Sequence, residues 1–256
     1  MRAATGRSTS RARGSRLPPG APLPLATLAL ALALGACAPG PRPARTPPTP
    51  VAPAPQAAVH AAYRVAAAQS EVRVLVFRDG PLAQLGHNHV LVSHALSGAV
   101  DVAGAPPDLR FELALPVVEF AIDEPAARRE EGDAFASEPS AADVAATRRN
   151  LLGPAVLDAE HYPLLRVAGL GAMRERAAGP DAGRYRVRLR IELRGRASEL
   201  EVPVTVTIAG EELEAAGEFR VAQSALGLTP FSVALGTLRV AEELVVRVRI
   251  HARREP

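Results

Sequence analysis

Residues 184–194 read Arg-Tyr-Arg-Val-Arg-Leu-Arg-Ile-Glu-Leu-Arg. Tyr185, Val187, Leu189, Ile191 and Leu193 fall on one face of an extended chain. Arg184, Arg186, Arg188, Arg190, Glu192 and Arg194 fall on the other. Side chains alternate across a strand, so this stretch is a strand with one apolar face turned to a core and one charged face turned to water. The next stretch repeats the pattern: Leu200, Val202, Val204, Val206 and Ile208 alternate with Glu201, Pro203, Thr205 and Thr207. Pro203 lacks an N–H and marks an edge or bulged position. Residues 209–211 turn the chain, and 213–221 return it. The last strand, 243–251, places Val246, Val248 and Ile250 inside and Arg247, Arg249 and His251 outside.

Working back toward the N-terminus, 71–78 form a further strand rich in Val, Leu and Phe. Less regular strands are expected at 63–65, 90–102, 109–120 and 164–170. Short connections between alternating strands imply antiparallel neighbours. One helix is expected at 140–152, with Ser140 as its cap, Asp143 in its first turn and Gly153-Pro154 at its end. The charged, Pro-containing stretch 123–139 reads as a surface loop, and Glu130-Glu131 and Glu211-Glu212 read as solvated charge runs. The fold class is therefore all-β: an antiparallel barrel or sandwich of about eight strands with one inserted helix. A barrel of about eight strands has room for one small ligand or for a filled core, and alternation alone does not choose between them.

The 256 residues include a distinct leader. Arg2, Arg7, Arg11, Arg13 and Arg16 precede an apolar run of ten residues, 25–34. That run is too short to span a bilayer, which takes about 20 residues, and suits the apolar region of a signal peptide. Leu34-Gly35-Ala36-Cys37 follows and resembles the lipobox of bacterial lipoproteins, in which the Cys is acylated and becomes the mature N-terminus. Cys37 is the one Cys in the sequence. The expected organisation is a signal peptide at 1–36, a Pro/Ala-rich spacer at 37–60 beginning with lipidated Cys37, and a barrel domain at 61–254. Pro-rich spacers are extended and semi-rigid. The expected location is the periplasmic side of the envelope, with the outer membrane favoured by Ala38 standing where an Asp would retain the protein at the inner membrane.

Charge and composition exclude several functions. The leader carries five Arg and no acid, whereas residues 38–256 carry 25 Arg against 27 Asp plus Glu. Without its leader the chain is near neutral and has no electrostatic footprint for nucleic acid. Aromatic residues are 4% and Trp is absent, which removes the stacking platforms of base readers. All 30 basic residues are Arg, so Lys-dependent chemistry is excluded. A single Cys excludes an internal disulfide and any multi-Cys metal site. Gly-x-Ser-x-Gly is absent, and no enzyme is expected.

Three segments carry a resemblance. Tyr63-Arg64-Val65 followed by Gln69-Ser70-Glu71-Val72, then Asn150-Leu151-Leu152 through Leu157-Asp158-Ala159-Glu160-His161-Tyr162-Pro163, then Gly217-Glu218-Phe219-Arg220-Val221 with Ser224-Ala225-Leu226-Gly227-Leu228 resemble, in order and spacing, the YceI-like family of secreted barrels. The resemblance spans 61–252. It implies a lipocalin-like barrel holding a long apolar molecule, an isoprenoid-like or fatty-acyl lipid, and needing no cofactor beyond that lipid. The cavity-facing positions are then Tyr185, Val187, Leu189, Ile191, Leu193, Val204, Val206, Phe219 and Val248. The chain departs from the family by having Gln69-Ser70 where a His is usual, and by a longer connection at 80–89.

That connection contains Leu85-Gly86-His87-Asn88-His89, with His94 beyond. His87 and His89 project to the same side of an extended segment. Three readings stand: a metal pair, contact with a ligand's polar head, or a turn in which the imidazoles bond backbone groups. Arg128-Arg129 and Arg148-Arg149 are candidates to meet a phosphate head. The competing functions are a membrane-anchored lipid-binding protein, a metal- or redox-linked envelope protein using His87 and His89, and a structural lipoprotein without ligand.

Overall fold

Residues 63–103, 108–177 and 182–255 are described in the structure, a computed structural model. The expected signal peptide and spacer, with Cys37, lie outside the described residues. The strands are β1 (Tyr63–Val65), β2 (Glu71–Asp79), β3 (His89–Ser93), β4 (Ser97–Ala103), β5 (Asp108–Pro116), β6 (Ala121–Ile122), β7 (Leu164–Ala177), β8 (Ala182–Leu193), β9 (Arg196–Ala209), β10 (Glu212–Ala222), β11 (Ser232–Val233) and β12 (Leu238–Arg254). Two helices, α1 (Pro125–Glu130) and α2 (Ala141–Leu152), lie between β6 and β7.

All the pairings are antiparallel, and the sheet runs β1-β4-β5-β7-β8-β9-β10-β12-β2-β3-β6. It closes because β1 also pairs with the end of β12, Tyr63 opposite Arg254 and Val65 opposite Ala252. β1 with β2, β3 with β4, and β5 with β6 are each one strand broken by a bend. The result is an eight-stave, up-and-down barrel, one of the two architectures the alternation allowed and the one the family resemblance implied.

The bends have local causes. Ser70 is fully buried between β1 and β2; its Oγ donates to Ala66 O at 2.9 Å and accepts from His251 N at 3.1 Å. It fastens the break to β12. Gly98 opens β4 at φ +132°, and a Cβ there would stand 2.1 Å from Glu112 O, so no side chain is tolerated. The expected single strand 90–102 is accordingly two pieces, and the expected strand 109–120 ends at Pro116, before a short 3-10 turn at Val117–Glu119 and the separate β6. Pro203 stands at a local edge: Arg186 of β8 lies opposite it on one side. Its missing donor shows on the other side, where the β9–β10 ladder stops at Thr205 opposite Ala216.

The inserted helix begins where expected. Ser140 Oγ accepts from Asp143 N at 3.2 Å, and Asp143 Oδ2 accepts from Ser140 N at 3.1 Å, a reciprocal capping box. Arg148 donates to Phe120 O and Val118 O, tying α2 to the bend between β5 and β6.

The stretch 123–139 is not the solvated loop its composition suggested. It carries α1 and covers the outer face of β2, β3 and β12, where Leu75, Val90, Val92 and Val245 form a second small core with Ala127 and Phe135. Phe77 and Phe135 meet edge to face at 5.5 Å. Glu131 is not solvated either: its side chain is 3% exposed and receives Arg73 at 2.6 Å and Arg247. Arg73, which also reaches Glu71 and Glu130, has its pKa held above the ordinary range; burial opposes this, and the three carboxylates outweigh it. The charges in this stretch serve as its fastening to the barrel wall.

Candidate functional site

The inward face of the staves surrounds a cavity of ≈ 430 Å³, within the ~300–1,000 Å³ typical of small-molecule sites. Val187, Leu189, Ile191 and Leu193 of β8 line it, as do Val204 and Val206 of β9, Phe219 of β10 and Val248 of β12. Tyr185 does not. It points inward but belongs to the closed end, 3% exposed, its ring seated against Gly183, where a Cβ would come within 2.8 Å. Tyr63 and Ala252 seal the same end at 5% and 1% exposure. Sequence alternation gives the side of the sheet a residue faces but not its height along the barrel axis.

Polar lining residues come from the opposite end: Arg78, His87, His89, Gln223 and Arg239, with Thr147 and Asn150 from α2. Apart from His87 and His89, these were missed in the sequence. For α2 a signal existed. Val144 and Leu151 pack into the barrel core, and Thr147 falls between them on the same helical stripe. Neither the Thr147 nor the Asn150 side chain has a hydrogen-bond partner among the described residues. They are therefore free to bond a molecule in the cavity mouth.

The histidines diverge in role. His89 Nδ1 lies 2.6 Å from Asp123 Oδ2, and Asp123 Oδ1 accepts from Val90 N at 3.0 Å and from Arg128. The Asp123 side chain is fully sealed, and its backbone sits at φ +57°. Burial by itself would raise the Asp123 carboxyl; His89, the Val90 N–H and Arg128 together hold it below its ordinary value. His87 Nδ1 contacts Ser137 Oγ at 3.2 Å. His94, which the sequence placed nearby, instead bonds Ser70 O at 2.7 Å. Among the described residues no group of three or more His, Cys, Asp or Glu is placed to hold a metal ion.

One arginine of each pair considered for a phosphate head is engaged within the chain, while Arg129 and Arg149 are exposed. Arg128 donates to Asp123 and to the carbonyls of Asn88, Phe135 and Ser137. Arg148 is spent on Val118 and Phe120. These two guanidinia serve as structural ties within the chain.

No family model and no curated protein matches this chain. Solved structures do. BcnA of Burkholderia cenocepacia aligns at TM-score 0.50 and 18% identity over 73% of this chain and 98% of its own. A polyisoprenoid binding domain from Saccharophagus degradans, implicated in plant cell wall breakdown, aligns at TM-score 0.50 and 13% identity, over 77% of this chain and 100% of its own. The fold is YceI-like. A Campylobacter jejuni YceI protein aligns more loosely, at TM-score 0.43 and 6% identity over 63% of this chain and 82% of its own. This YceI-like barrel has polar side chains at one end of its cavity, with residues of the helix α2 beside them.

Proposed function

We propose that this protein binds one long apolar chain, isoprenoid-like or fatty-acyl, inside the barrel and carries or sequesters it without chemical turnover. One observation carries the reading: a cavity walled by aliphatic side chains from every stave, with polar groups confined to one end. An amphiphile with a hydrocarbon tail and a small polar head has that same distribution. The tail replaces water along the inner wall, at about 25 cal/mol per Å² of apolar surface removed from solvent. Thr147 and Asn150 meet the head. The polyisoprenoid-binding neighbour of the same fold supports this choice of ligand.

The proposal includes a place in the cell. The leader and Cys37 tether the barrel to the periplasmic side of the envelope through acyl chains, and the Pro-rich spacer holds it clear of the surface. Two acyl chains give stable anchoring where one does not.

Native mass spectrometry of the full chain, purified from a bacterial host in detergent, tests the ligand. An adduct of several hundred daltons, released by organic solvent, is the expected result. Bare protein from a host whose membranes contain both isoprenoid and acyl lipids overturns it. Metabolic labelling with a fatty acid, lost in Cys37→Ala, tests the anchor.

A further inference from the structure

The open end of the barrel carries an unusual surface. Leu82 and Leu85 lie between β2 and β3, and Val233 and Leu235 lie between β10 and β12. They are 39%, 70%, 44% and 106% exposed. The two loops are locked together: Leu82 N donates to Thr237 O at 2.9 Å. Gly80, at φ +100°, approaches the same carbonyl so closely that a Cβ would stand 2.6 Å from it. Gly86 rests against Leu238. The four side chains therefore form one rim on a joined base. Leu235 has φ +57° and ψ 33°, a left-handed conformation that costs a non-Gly residue about 1 kcal/mol or more. That backbone serves the tight turn between β11 and β12, where Gly236 is also at positive φ, but the fully exposed Leu side chain adds no packing to it.

The rim borders the cavity. Gly86, His87, Val233, Leu238 and Arg239 from these same loops line its mouth. A ligand of the proposed kind has almost no free concentration in water, because each buried CH₂ favours an apolar phase by ~0.8 kcal/mol. It must pass from a lipid phase to the mouth by contact.

We infer that this rim docks on a lipid bilayer, with Leu82, Leu85, Val233 and Leu235 inserted among the head groups and the cavity mouth facing the acyl layer. The inference rests on the lipid-binding reading above. The rim's chemistry favours a bilayer over a protein: the cores of protein interfaces are enriched in aromatic residues, Met and Arg, and these four side chains are purely aliphatic. Short apolar side chains on a projecting pair of loops suit shallow insertion of ~5–10 Å.

The test uses the full chain with Cys37→Ala, given a single new thiol by Leu235→Cys or, as a control, Met173→Cys. Met173 is exposed on β7, away from the loops that form the rim. Each thiol carries an environment-sensitive dye, and the protein is mixed with vesicles of phosphatidylethanolamine and phosphatidylglycerol containing a nitroxide-labelled lipid. The expected result is a blue shift and at least fivefold stronger quenching at position 235 than at 173. Equal, water-like signals at both positions overturn the docking and leave the rim to a protein partner. Lipid extraction from the same samples separates the two ideas. Retained lipid with a silent rim overturns docking alone, whereas an active rim on a lipid-free barrel supports docking and overturns the ligand.

Discussion

Arg128 and Asp123 form an ion pair sealed beneath the outer strap of the barrel, their side chains 6% and 0% exposed. Arg128 also satisfies three backbone carbonyls, so the pair ties β3, α1 and the segment after it into one unit. Removing one partner of a buried pair leaves the other charge uncompensated, at a cost of about 3–5 kcal/mol. Arg128→Leu is expected to lower the unfolding free energy by that amount in urea titration. Arg128→Lys recovers only part of it, because an ammonium cannot reproduce the planar fork that meets these acceptors.

Acid should loosen the same unit. The Asp123 pKa in the folded protein lies below its ordinary 3.8. A lowered carboxyl stabilises the fold at pH values above 3.8, and that contribution is lost as pH falls through the folded-state value. The stability gap between wild type and Asp123→Asn is thus expected to hold near pH 5 and above and to narrow below about pH 4. Chemical denaturation at a series of pH values checks it, and a gap that widens on acidification refutes it.

Ala215 lines the cavity between Val206 and Ile250, its register partners on the two adjacent strands. Ala215→Phe fills space that a ligand tail would occupy without exposing a polar group. Retained lipid, measured by solvent extraction, is expected to fall at least tenfold while the melting temperature moves by only a few degrees. An unchanged lipid content would place the ligand elsewhere.

At the mouth, Asn150→Leu removes a polar group that has no partner among the described residues. Its net hydrogen bond to a ligand head is worth about 0.5–1.5 kcal/mol. Affinity for a lipid alcohol or acid is expected to drop about two- to tenfold, with little change in affinity for the matching hydrocarbon. Competition of the two ligands against a fluorescent fatty acid reads this difference.

The sequence reveals the barrel wherever one strand face is wet and the other dry. Residues 184–194 show it most plainly, since every outward position is charged. The capping box of α2 was equally legible, because Ser140 and Asp143 act within one turn. What local pattern does not contain is the partner of a charge. Glu131 reads as solvated until Arg73, 58 residues away, is placed beside it. Asp123 and His89, 34 residues apart, are a similar case. Tyr185 shares the inward parity of Leu189 and differs only in depth, which is fixed by the stagger of the staves and not by alternation.

The closing seam has a consequence for how the barrel comes into being. Its first strand pairs with the last residues of its final strand, and Arg64 reaches Glu255 across 191 positions of sequence. The ring closes only when β12 meets the first stave, at β1 and more extensively along β2, and such distant pairings place folding in the slow, millisecond-to-second regime. Until then β12, the longest strand, pairs with β10 on one side and presents an open edge on the side that β1 and β2 take. Loss of residues 252–254 therefore frees β1 from the seam and leaves the β2 part, residues 239–249, in place. The open edge of β12 is a template for self-association until β1 and β2 cover it.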